Sequence, residues 1–130
     1  MRVDRPRVMV LDADPESLAS HYRLLKDRGF EVATYSAPAP ACGYAAEEKP
    51  DAILTSFGFP ECDGLDVVRR LKEASPQSHI MLIANPGNWP SLGEAARAGA
   101  EVLLPEAQGS DAVLRHLEDA IGELPVPVER

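Results

Sequence analysis

Short apolar runs alternate along the whole chain with segments of helical spacing. Val8-Met9-Val10-Leu11 reads as a buried strand, and the same reading covers Phe30 to Tyr35, Ala52-Ile53-Leu54-Thr55, Ile80-Met81-Leu82-Ile83-Ala84 and Val102-Leu103-Leu104. Such alternation is the mark of βα units around a parallel sheet. Between the first two runs, Asp14 supplies an oxygen to cap free amides while Pro15 occupies the first turn without losing a bond. The helix they start runs to about Arg28, with Leu18, Tyr22 and Leu25 on its inner face and Gly29 as its stop. Pro40 to Glu48 is a weaker helix containing Gly43, and Phe57 to Asp63 is a Gly/Pro-containing loop. Gly64 opens a helix to Ala74 whose inner stripe is Leu65, Val68 and Leu71. A loop from Asn85 to Pro90 leads to a short helix from Leu92 to Ala98, ended by Gly99. Ser110 then caps a last helix that turns Val113, Leu114, Leu117 and Ile121 inward. The result is an α/β domain of five βα units over residues 1–124. Leu124-Pro125-Val126-Pro127-Val128 cannot continue a helix, so residues 125–130 read as a tail or the start of a linker.

Length and composition narrow the function classes. A chain of 130 residues with 45% hydrophobic and 26% charged residues suits one globular core. Thirteen Lys and Arg face 21 Asp and Glu, giving a net charge of −8. An acidic domain of this kind is not expected to hold nucleic acid or an anionic membrane by itself. Cys42 and Cys62 form neither a zinc signature nor a disulfide framework. No apolar stretch approaches the roughly 18 residues that span a bilayer, and the expected location is the cytoplasm.

Four strings, in order and at consistent distances, then carry a resemblance to the receiver domain of bacterial two-component response regulators. Leu11-Asp12-Ala13-Asp14-Pro15 resembles the acidic turn after that family's first strand, and Lys49-Pro50-Asp51-Ala52-Ile53-Leu54 resembles the lead into its phosphoacceptor. Phe59-Pro60-Glu61-Cys62-Asp63-Gly64-Leu65 resembles its Met-Pro-x-Met-Asp-Gly segment, and Ala98-Gly99-Ala100-Glu101 resembles its Ala-Gly-Ala-Asp. The resemblance implies a flavodoxin-like (βα)5 doubly wound parallel sheet with strand order 2-1-3-4-5 and a site at the carboxyl edge of strands one, three and five. There an aspartate takes a phosphoryl group, Mg²⁺ on acidic oxygens neutralises it, a Ser/Thr hydroxyl bonds it and a lysine balances its charge.

Carried over residue by residue, the resemblance implies a changed pocket. The first carboxylate of the acidic turn is Asp12, but the second falls on Ala13; Asp14 is better placed as a helix cap. The phosphoacceptor position falls on Ser56, six residues after Pro50 and four before Pro60. The hydroxyl position, fifteen residues before Gly99, falls on Ala84, and the lysine position falls on Glu106. One fixed carboxylate is a poor Mg²⁺ site. Serine is a weak nucleophile without a base, and His21, His79 and His116 fall in a helix, at a strand start and in a helix. A glutamate about 4 Å from a phosphoryl charge, at an effective dielectric near 20, would oppose it by roughly 4 kcal/mol. No metal, cofactor or catalytic residue is therefore expected. The expected function is a pseudo-receiver acting through phosphorylation-independent contacts with a sensor kinase, another receiver or an output domain, with room for a homodimer. Trp89 and Leu103, the latter in place of the family's switch aromatic, mark the expected partner face. The alternative is a flavodoxin-like domain that takes a small ligand or metal in the altered pocket through Asp12, Ser56 and Glu106.

Overall fold

The computed structural model describes residues 5–60, 62–84, 90–105 and 110–122. Trp89, Glu106 and the tail from 125 to 130 lie outside the described residues. The chain forms β1 (Arg7–Leu11), α1 (Pro15–Asp27), β2 (Glu31–Tyr35), α2 (Pro38–Glu48), β3 (Ala52–Ser56), α3 (Gly64–Ala74), β4 (His79–Ala84), α4 (Leu92–Ala98), β5 (Val102–Pro105) and α5 (Ser110–Ile121). Five parallel strands lie in the order β2-β1-β3-β4-β5, which is the flavodoxin-like arrangement expected. β1, β3 and β4 are central and almost wholly apolar, as strands covered on both faces must be. The edge strands β2 and β5 are only partly covered.

Because successive strand residues point to opposite faces, each central strand feeds two cores. Met9, Leu11, Ile53, Ile80 and Leu82 meet α2, α3 and α4 through Ala41, Ala45, Val67, Val68, Leu71, Ala95 and Ala98. Val8, Val10, Leu54, Met81 and Ile83 meet α1 and α5 through Leu25, Val113, Leu114 and Leu117. At the amino edge of the sheet the Ser75 and Ser78 hydroxyls lie 2.6 Å apart, and Ser78 donates to the Pro50 carbonyl. These buried polar groups are thus satisfied, and they tie the turn before β4 to the start of β3.

Three sequence expectations are corrected. Tyr22 is not on the inner face of α1: it is 43% exposed. The helix turns inward along Leu18, His21 and Leu25, the i, i+3, i+7 line, which rotates Tyr22 outward. α2 begins at Pro38 rather than Pro40 and continues through Gly43. Both prolines fit its first turn, where backbone amides have no intrahelical acceptor. Ser110 opens α5 as its first residue.

Gly64 is fixed by close approach. A Cβ there would lie 2.3 Å from the Phe57 carbonyl oxygen, so only glycine lets α3 start against the loop after β3. Gly99 ends α4 at φ 122°, a backbone conformation that side chains resist.

Candidate functional site at the carboxyl edge

Strand register assembles the site. Leu11 lies opposite Thr55, so Asp12 and Ser56 are the next positions on adjacent parallel strands. Ser56 in turn pairs with Ile83, and Ala84 with Pro105. With strands about 4.8 Å apart, Asp12, Ser56 and Ala84 are brought side by side at one sheet edge. Together with Ala13 they line an open cleft of about 570 Å³.

Local hydrogen bonding explains the shape of its acidic rim. The Asp12 amide donates to the Tyr35 carbonyl at 3.0 Å, continuing the β1–β2 ladder by one residue. Its Oδ1 accepts from the Asp14 amide at 2.9 Å, closing the turn over Ala13. Asp14 Oδ1 accepts from the Glu16 amide at 3.2 Å and caps α1. Asp63 does the same for α3, accepting from the Leu65 amide at 2.9 Å. Asp14 is therefore the cap expected from the sequence, and Asp63 caps α3 in the same way.

Ser56 differs from its neighbours. The Thr55 hydroxyl donates to the Ser56 carbonyl at 3.0 Å, but the Ser56 Oγ is buried with no hydrogen-bond partner. The rest of the cleft wall is apolar: Phe57, Phe59, Pro60, Ile83 and Ala84. The sequence pattern marks Phe57 to Asp63 only as a loop and gives neither this wall nor the Ser17 hydroxyl beside it. The alternating Phe57 and Phe59 were the available signal. Cys62 is partly buried against the core, and its backbone pairs with that of Phe59 in an isolated antiparallel bridge.

Among the described residues, the cleft lining holds no Lys, Arg or His, and no three His, Cys, Asp or Glu are arranged to hold a metal ion. His79 is engaged at the opposite edge, its Nδ1 2.8 Å from Glu101. Among the described residues, the titrations displaced from their ordinary range also lie away from the cleft. Glu31 and Glu48 hold the Arg7 guanidinium protonated beyond its usual range, and burial raises the Cys42 thiol against the opposing pull of Arg70. Leu103 is partly buried against the core beneath α3 and α4 and is not part of the cleft lining. Of the five positions singled out for the pocket, Asp12, Ala13, Ser56 and Ala84 converge, and Glu106 lies outside the described residues.

With this geometry in hand, comparison with known proteins is informative. The family model "Response regulator receiver domain" matches residues 8–118. The transcriptional regulatory protein PrrA of Mycobacterium tuberculosis is 46% identical over 102 residues, covering 78% of this chain and 44% of that protein. The transcriptional regulatory protein KdpE of the same species is 32% identical over 114 residues, covering 88% of this chain and 50% of its own length. The chain thus spans about half the length of these relatives. Among solved structures, a response regulator receiver domain protein from Clostridium thermocellum superposes with a TM-score of 0.82 at 22% identity, covering 89% of this chain and 94% of that one. At that identity the likeness speaks for the fold. No helix among the described residues is long and apolar enough to cross a membrane.

Proposed function

The chain belongs to the response regulator receiver domain family, and from that premise we propose that it is a member which signals by contact rather than by phosphoryl transfer. The observation that carries the reading is the cleft itself. At the strand end where the family resemblance calls for an aspartate, Ser56 presents a hydroxyl; Ala13 stands beside Asp12 and Ala84 closes the wall. A hydroxyl without a base is a weak nucleophile, and no histidine lies in the described lining to activate it. Asp14 holds the Glu16 amide as a cap rather than offering a free acceptor turned to an incoming phosphorus.

The domain is then a non-catalytic interaction module of a cytoplasmic two-component pathway. PrrA and KdpE are named as transcriptional regulatory proteins, and this chain corresponds to about half of each. Its partners on this reading are a sensor kinase, another receiver or an output domain. Trp89 and Leu103 remain our candidates for the surface they touch, and nucleic acid is not a ligand of a domain carrying a net charge of −8.

The test is incubation with acetyl phosphate and Mg²⁺ followed by intact-mass measurement. The expected spectrum shows the unmodified chain only. A labile adduct of one phosphoryl group, mapped to any residue of the cleft, would sink the reading.

A further inference from the structure

We propose that the open side of β2 docks a second copy of this chain, the two β2 strands pairing antiparallel about a two-fold axis at Ala33 so that the sheet continues from one copy into the other. The inference does not depend on whether the cleft takes a phosphoryl group, since it rests on the edge strand and on α1.

The direction of the backbone groups comes first. The Glu31 amide donates to the Pro6 carbonyl and the Tyr35 carbonyl accepts from the Asp12 amide, both at 3.0 Å, so Glu31, Ala33 and Tyr35 turn their backbone groups toward β1. Val32 and Thr34, lying between them, turn theirs outward. Among the described residues β2 pairs with β1 alone, so these outward groups have no partner in the sheet. Open edges are usually guarded by Lys, Pro or a bulge. β5, at the other side, contains Pro105, whereas Val32 to Tyr35 carries no such guard and its register with β1 is unbroken. The one charge of the strand, Glu31, is held by Arg7 at 3.5 Å.

An antiparallel pair centred on Ala33 sets Val32 against Thr34 of the second copy, and each such pair exchanges both of its N–H···O bonds. On the axis, where Cα atoms approach most closely, the side chain is small. Glu31 falls opposite Tyr35 of the second copy, so no like charges meet within the strands.

Helix α1 supplies the charge complementarity that selects a second copy. It packs on β2 and runs antiparallel to it: Ser17 lines the cleft at the strand ends, while Lys26 borders a groove with Glu31 and Val32 at the start of β2. Its exposed line Glu16, Ala19, Arg23 and Lys26, at i, i+3, i+7 and i+10, therefore carries an acid toward the carboxyl end of β2 and bases toward its amino end. A two-fold axis at Ala33 reverses the second copy, and Glu16 of each chain meets the basic end of the other's α1. Tyr22, one turn before Lys26 and 43% exposed, adds aromatic surface to bury there.

The experiment is sedimentation velocity of the unaltered chain up to millimolar concentration, beside three variants. A reversible dimer is expected, with amide exchange at Val32 and Thr34 slowing as concentration rises. Thr34→Pro removes an outward donor at a place where an edge strand tolerates proline, and it should weaken the dimer at least ten-fold. Lys26→Glu and Glu16→Lys each set like charges across the axis and should weaken self-association several-fold. An equimolar mixture of those two single variants should regain it, because opposite charges then meet at both contacts. A chain that stays monomeric, an unweakened dimer of folded Thr34→Pro, or a mixture that associates no better than its components would each overturn the proposal. Should Thr34→Pro fail to fold, the mixture decides alone.

Discussion

Ser56 and Gly64 lie eight residues apart and show how differently single positions reveal themselves. Ser56 stands out only through the resemblance to receiver domains, whose phosphoacceptor position falls on it between Pro50 and Pro60. That its hydroxyl would be buried without a partner is not legible, since burial of one atom depends on packing that no local pattern encodes. Gly64 was read only as a helix start. Its actual constraint is the approach of the Phe57 backbone to 2.3 Å from where a Cβ would stand, a contact made across a loop and invisible to local pattern. Backbone cannot move aside as the far end of a flexible side chain can. Gly64→Ala should therefore destabilise the chain by about 1–3 kcal/mol, the usual range for overpacking, read as a lower midpoint in urea with unchanged slope. A variant with the wild-type midpoint would show that the start of α3 can shift without cost. The same shift would displace Phe57 from the cleft wall.

At the level of elements, helix starts were the most legible feature and helix rotation the least. Asp14 and Asp63 each precede a helix and each caps it through a hydrogen bond to the amide two residues on. The identity of the residue and its position before an apolar periodic segment are enough to say so. Rotation of α1 is ambiguous in the sequence because Leu18 and Leu25 are compatible with two neighbouring lines, one through Tyr22 and one through His21. Only packing against β1 and β2 chooses between them, and it buries the His21 Nδ1 while leaving Tyr22 43% exposed. α2 begins at Pro38, two residues before the Pro40 start that the pattern suggests, because both prolines fit within its first turn. The caps carry a prediction. Asp63→Ala should lower stability by about 1 kcal/mol, the ordinary value of an N-cap, measured by chemical denaturation, and Asp63→Asn should retain most of it because the amide oxygen still accepts. If both substitutions were equally costly, the charge of Asp63 rather than its hydrogen bond would be supporting α3.

Across the whole molecule, the pattern of apolar runs reveals five βα units, while strand order and the meeting of Asp12, Ala13, Ser56 and Ala84 are implied by the resemblance to receiver domains; a parallel sheet with consistent crossovers then brings the strand ends to one edge whatever the helices do in detail. The apolar lining was not legible, as it comes from a loop without periodicity. Metal dependence is the property that tests the assembled edge as a unit. With Ala13 beside Asp12 and a hydroxyl at Ser56, the unaltered chain offers Mg²⁺ little, and its melting temperature should be nearly the same in millimolar Mg²⁺ as in chelator. Substituting Ala13→Asp, Ser56→Asp, Ala84→Thr and Glu106→Lys together should reverse this. Carboxylates on adjacent strand ends about 5 Å apart repel by roughly 3 kcal/mol at an effective dielectric near 20, so the variant should melt below the unaltered chain in chelator. Mg²⁺ would then neutralise that charge, and a ligand at 100 times its dissociation constant adds about 2.7 kcal/mol, worth several degrees for a domain of this size. The expected result is a Mg²⁺-dependent rise confined to the variant, accompanied by a labile phosphoryl adduct with acetyl phosphate. A rise of several degrees in the unaltered chain would instead mean that Asp12 finds other oxygen ligands at this edge, and the contact-only reading of the domain would have to give way.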